Sequence, residues 1–250
     1  MKIVAFFICI IVSMLLVEGS KDFPDWADPY SAANKGISNY YLENSIKDTE
    51  VPNVVSALLA DYRGFDTMLE TSVVLIAAVA IIFIIRRSSY HTDYLPQEDS
   101  PYAFESSIIL QTICRMLIPV MQIYALYVII HGHHSPGGGF QGGVILGAML
   151  ILHSLVFGLR RTLKKFSEIK QRFFNHIGVL IYAFVGLLCL ILGGNFLDYS
   201  VLSKILFVEP TYARSLGILF VEIGVAITVM SVMFSIYCDL SSAGDLDKGV

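Results

Sequence analysis

Apolar residues come in six long runs separated by polar intervals: Ile3–Val17, Thr67–Ile85, Ser106–Ile130, Gly143–Leu159, Ile177–Leu197 and Ser215–Cys238. A helix rising about 1.5 Å per residue needs roughly 20 residues to cross about 30 Å of hydrocarbon, and these runs are near or above that length. The pattern predicts an all-α integral membrane protein with about six transmembrane helices. The first run is short, and Lys2, the apolar stretch and Val17-Glu18-Gly19 also fit a secretory signal. We read it as a retained helix.

Basic residues set the orientation. Arg86 and Arg87 follow the second run, and Arg160, Arg161, Lys164, Lys165, Lys170 and Arg172 follow the fourth, so both loops belong in the cytoplasm. Alternation then puts both termini in the cytoplasm and residues 18–66, 131–142 and 198–214 outside. In the first outer segment Val54, Val55, Leu58 and Leu59 stand at helical spacing and predict a short interfacial helix. The polar interval 86–105, with Pro96 and Pro101, reads as a linker between a two-span part, 1–95, and a four-span part, 96–250.

Composition agrees: of 250 residues 55% are apolar and 15% charged, with a net charge of −4. No basic face gathers, which excludes nucleic acid as a partner. Cys9, Cys114, Cys189 and Cys238 stand singly in apolar stretches and read as packing residues, with no spacing for zinc or an iron–sulfur cluster.

Polar groups inside the spans carry the candidate chemistry, because ionisable side chains in a bilayer face protein or a water-filled path. Arg63, Asp66 and Glu70 fall on one helical face where the second span enters the membrane, and could attract cations or relay protons. Thr67-Met-Leu-Glu70 also fits a capping box, in which Glu70 only satisfies backbone donors; both readings stand. Ser107, Gln111, Arg115 and Gln122 form a narrow polar stripe that suits contact with another helix or subunit. Glu222 lies a third of the way into the last span without a basic partner on its own helix, which suits a proton-exchanging group or a hydrogen-bonded structural one. His153 reads as a packing histidine.

Between the third and fourth runs stands His131-Gly-His-His-Ser-Pro136-Gly137-Gly138-Gly139-Phe140-Gln141-Gly142-Gly143. Glycine permits positive φ and close backbone approach, and Pro136 disfavours helix at Ser135, so the segment predicts a compact, shaped connection. His131, His133 and His134 lack a carboxylate or cysteine companion for a metal site, and suit hydrogen bonding or proton response instead. The lysine and Ser/Thr of a phosphate loop are missing. No metal, cofactor or catalytic constellation is indicated.

With that motif, residues 105–240 resemble the B subunit of Mrp-type multisubunit sodium/proton antiporters and its counterparts in Mrp-related membrane-bound hydrogenases and sulfur-reducing complexes. Residues 52–87, through Asp61, Arg63, Gly64, Phe65, Asp66, Thr67 and Glu70, resemble the C-terminal end of the Mrp A subunit, which occurs as a separate E-type subunit in the hydrogenases. The resemblance implies a multi-pass subunit of the cell membrane within a cation (Na+)/proton antiporter module. It implies other Mrp-like subunits as partners, with a hydrogenase or sulfane-reductase module among those it allows, and Na+ and H+ as the ions. It implies an ion-path role for Glu70; Asp66, Arg63, Glu222, His131 and His133 are the other ion-path candidates, on the reading of the residues themselves. The fusion departs from a free-standing antiporter and favours a modular respiratory complex. Without the lysine-bearing broken helices of principal pumping subunits, the chain is not expected to transport alone, and a purely structural assembly role is the alternative.

Overall fold

The computed structural model describes residues 2–26, 28–89, 108–242 and 244, and every regular element among them is helical. The linker around Pro96 and Pro101, Ser107 of the polar stripe and most of the acidic tail lie outside the described residues. The chain forms two compact units, Met1–Asn44 and Ser45–Val250. In the first, the 18-residue α1 (Lys2–Gly19) covers the first apolar run and exposes Phe6, Met14 and Leu16. Lys35 then stands 4.3 Å from the ring centroid of Tyr30. Helix α2 (Ile37–Thr49) leads into the second unit.

Among the described residues, five helices of the second unit are long and apolar enough to cross a membrane: α3 (Gly64–Ser89), α4 (Ile108–Ile130), α5 (Gly139–Phe157), α6 (Glu168–Ile191) and α7 (Pro210–Ser241). Helix α7 is the axis of the bundle, with 61% of its apolar window buried against 11% for α3. It packs on α3, α5 and α6, and α4 packs on α5. Pro210 opens α7, where its missing N–H is no loss.

Four helices start before the expected apolar run: α6 by nine residues at Glu168, α7 by five at Pro210, and α5 and α3 as follows. Helix α5 begins at Gly139, four residues before the expected span, because its first turns are pressed against both neighbours. A Cβ at Gly139 would fall on the Glu222 backbone, one at Gly142 on the Ile129 side chain, and one at Gly143 within 2.8 Å of the Ala226 carbonyl oxygen. Packing therefore overrides glycine's poor helix propensity. Helix α3 begins at Gly64, so Thr67 lies inside its first turn, and its hydroxyl donates to the Leu59 carbonyl at 2.8 Å rather than capping. The expected interfacial helix appears as one α-turn, Val54–Ala57, continued by a π-turn, Leu58–Tyr62.

Two fully buried tyrosines hold that junction. Tyr182 on α6 donates to the Gly64 carbonyl at 2.8 Å, and Tyr199 donates to the Ala60 carbonyl at 3.0 Å. Beside them Arg214 on α7 reaches Asp61 at 3.3 Å and Asp198 at 3.9 Å. Burial pushes the Asp61 carboxyl up from 3.8 to about 6, against the pull of Arg214 and with help from Asp198 and Asp48. At the other end of the bundle Arg86 closes α3 onto α7 through Asp239 at 2.7 Å and onto α6 through Glu168 at 2.9 Å.

Gly139→Ala is expected to destabilise the detergent-solubilised protein by about 1–3 kcal/mol, seen as a lower thermal midpoint, because the added Cβ has no room. Gly19→Ala, with nothing within 4 Å of the new atom, should leave the midpoint unchanged. A second outcome concerns pH. With Asp61 raised when folded, the native state holds its proton more tightly than the unfolded chain. Its contribution to stability is therefore full below pH 3.8 and lost as pH rises through about 6. Melting curves of Asp61→Asn should be flatter than wild type over that window, by at most roughly 3 kcal/mol.

Candidate functional site

The glycine motif and Glu222 form one site. Helix α7 carries Glu222 to the point where α5 begins, and the carboxylate lies against the loop backbone. A Cβ on Gly132 would come within 3.1 Å of Glu222 Oε2, and one on Gly138 within 3.1 Å of Oε1. Gly138 also has φ of 127°, a conformation that side chains resist. Glu222 is 8% exposed, and its Oε2 is enclosed without a hydrogen-bond partner among the described residues. The neighbouring Ser56 hydroxyl gives its proton to the Gly132 carbonyl at 2.8 Å. An acceptor so enclosed calls for a proton, a water or a cation.

A cavity of about 180 Å³ opens beside it, lined by Glu222, Glu70, Ser56, Thr71, Gln141 and the backbone of Gly137 to Gly139, among others. Glu70 is exposed at its edge, on the first turns of α3. Arg63 and Asp66 pair with each other at 2.5 Å, both well exposed. They do not line this cavity. The structure thus puts Glu70 and Glu222 on the wall of one cavity and leaves the Arg63–Asp66 pair as a separate feature.

The loop is held from outside itself. Asn53 donates through its side-chain amide to the Gly132 carbonyl at 2.8 Å and the Ser135 carbonyl at 2.9 Å, and its backbone N–H donates to the His133 carbonyl at 2.8 Å. His133 is buried, with Nε2 at 2.8 Å from the Ser215 carbonyl, while exposed His131 stacks on Tyr127 at 4.2 Å. The two histidines therefore serve different neighbours. Pro136 is exposed, and Phe140 and Gln141 sit at the cavity wall. Along α4, Gln111 is half-buried, Arg115 lies 5.9 Å from the Phe157 ring centroid, and Gln122 reaches Met149 Sδ at 3.9 Å. The stripe thus faces α5 in part, with Arg115 and Gln122 still exposed.

Sequence reasoning missed Asn53, Ser56 and Arg214, and named Asp61 only as part of the family pattern. Asn53 sits at an ordinary helix-cap position before Val54, and no local spacing announces a bond to carbonyls about 80 residues away. A polar residue preceding a short amphipathic turn was the available signal, and it points to a cap before it points to a clamp.

Residues 109–235 match the family described as a domain related to the MnhB subunit of Na+/H+ antiporter, and residues 28–99 match the family of the MBH E-type subunit, MbhE. Over 132 residues the chain is 31% identical to the antiporter protein mnhB2 assigned in Staphylococcus aureus (strain Newman), covering 50% of this chain and 93% of that protein. It is 29% identical over 175 residues to an uncharacterized protein of Methanocaldococcus jannaschii, covering 65% and 64% of the two. It is 28% identical over 185 residues to a K(+)/H(+) antiporter A/B protein assigned in Rhizobium meliloti, covering 67% and 18%. The chain thus spans less than two thirds of each of the last two proteins. Among solved structures, it is similar in fold to a chain of the membrane-bound sulfane sulfur reductase, an archaeal respiratory membrane complex, at TM-score 0.65 and 24% identity, covering 96% and 97% of the two chains. It is also similar to a chain of the Mrp complex from Dietzia sp. DQ12-45-1b, at TM-score 0.68 and 23% identity, covering 99% and 26%. With half of its length matched to that family and, among the described residues, five helices long and apolar enough to cross a membrane, the chain is a multi-pass membrane protein belonging to the family of domains related to the MnhB subunit of Na+/H+ antiporter.

Proposed function

We propose that the chain is a membrane subunit of a cation/proton antiporter module, and that the Glu70–Glu222 cavity is part of its ion path. The observation that carries this reading is Glu222 Oε2, buried, without a geometric hydrogen-bond partner among the described residues, and beside a cavity that Glu70 also lines. An ionised carboxylate cannot stay so enclosed without a counter-charge, so the site favours exchanging one cation, H+ or Na+, as occupancy changes. Glu70, exposed at the edge, would pass the ion between this site and the aqueous side. That side is the outer one if the basic loops lie in the cytoplasm.

The remaining helices support larger Mrp-like subunits, and the likeness to a sulfane sulfur reductase chain supports assembly with a hydrogenase or sulfane-reductase module in the cell membrane. Any redox chemistry then belongs to those partners. An assembly-only role is the second reading, favoured by the exposed Arg115 and Gln122 on α4, which are poised for another protein chain.

Glu70→Gln and Glu222→Gln, each introduced into the assembled complex, are expected to slow cation/proton exchange in sealed vesicles by at least about tenfold. Exchange at the wild-type rate with the complex intact would leave only the assembly role.

A further inference from the structure

The two ends of α3 and α7 hold two separate cavities. Arg86 and Asp239 line the second, about 25 Å further along the same helices than Glu70 and Glu222. Its volume is about 460 Å³, and Glu168, Gln171, Asn175 and Ser235 also line it, with an apolar wall from α3. Two guanidinium groups, Arg86 and Arg172, face two carboxylates, Glu168 and Asp239, with His176 beside them. Among the described residues the formal charges balance, so this lining is suited to trap neither an anion nor a metal cation.

From this cavity a line of uncharged polar groups enters the seam between α6 and α7. Asn175 Nδ2 donates to Ser235 Oγ at 3.2 Å, and Ser235 Oγ donates to Gln171 Oε1 at 3.2 Å. Further in, Ser231 and Thr228 donate to the Gln171 and Asn175 carbonyls at 2.9 and 3.4 Å. Hydroxyl-to-carbonyl bonds of that last kind serve as glue between membrane helices. The Asn175 side chain does not fit so simple a role. It is 4% exposed, it lines the cavity, and its Oδ1 has no hydrogen-bond partner among the described residues. A dry seam would leave this acceptor desolvated and unpaired, whereas water in the cavity satisfies it.

We propose that the second cavity is filled with water and, with the Gln171–Asn175–Ser235 line, forms a proton-access path from the membrane face opposite the Glu70–Glu222 cavity. The waters carry the proton, each accepting one as it releases another, while the side chains order them and change no charge. The Arg86 ion pairs stand at the mouth. The role of this path in exchange rests on the reading of Glu222 as an ion-exchanging group, but the presence of water in the cavity does not.

The test uses the assembled complex with the chain's native cysteines replaced by serine, in sealed vesicles, and a membrane-impermeant methanethiosulfonate added from either side. Ser235→Cys is expected to react at least about tenfold faster than Val229→Cys in the core, since a thiol in a dry seam has its thiolate suppressed. It should react from the face opposite to the one that reaches Glu222→Cys. Equally slow labelling at both positions means a dry helix contact and overturns the proposal, as does labelling of Ser235→Cys from the same face as Glu222→Cys. Asn175→Leu should slow proton exchange by about tenfold, with recovery in Asn175→Gln; a full rate in Asn175→Leu overturns the proton-carrying part. Should Glu70→Gln and Glu222→Gln leave exchange intact while Ser235→Cys still labels, the exchange site has failed and the water-filled path stands.

Discussion

The contact of α5 with α7 through a glycine surface is the constraint on which the rest of the structure depends. Lipid offers apolar helices no hydrophobic reason to associate, so their stability comes from backbone proximity, dispersion and hydrogen bonds. Gly139 and Gly143 let α5 lie against the Glu222 and Ala226 backbone, and Gly142 does the same toward α4. That proximity delivers the loop backbone to the Glu222 carboxylate and leaves a small cavity where a side chain would otherwise stand. A bulkier residue at the first position would move the helix, and with it the walls of the site.

The ion pairs that tie this bundle together gather at its two ends. Asp61, Arg214 and Asp198 gather at the start of α7, and Arg86, Asp239 and Glu168 near its finish. Each cluster ties α7 or its approach to a different neighbour, while the stretch between them uses hydroxyl and amide groups. Such a division keeps ion pairs out of the deepest hydrocarbon, where Glu222 on α7 and Arg115 on α4 stand apart from both clusters.

The spans were legible because a membrane writes them as long apolar runs, and each of α3 to α7 contains most of one run. Their starts were less so. Glycines at 139, 142 and 143 read as loop by propensity, yet they are helical because their value lies in a partner helix that local spacing cannot show. The same holds for the site. Glu222 and Glu70 each stood out as carboxylates in apolar sequence, but their meeting depends on three-dimensional neighbours, and spacing instead grouped Glu70 with Arg63 and Asp66 on one helix face. Gln171 and Asn175 sit near the polar beginning of α6, where such residues are unremarkable until α7 buries them.

Asn53 bears on the history of the chain as well as on its shape. It grips the loop through main-chain carbonyls alone, so the joint between the segment matched to the MBH E-type family and the domain related to MnhB does not depend on loop side chains. A joint of that kind works equally well between two polypeptides. Fusion then contributes stoichiometry and effective concentration rather than geometry: each grip is synthesised with its own loop, and assembly in the bilayer loses one diffusional encounter.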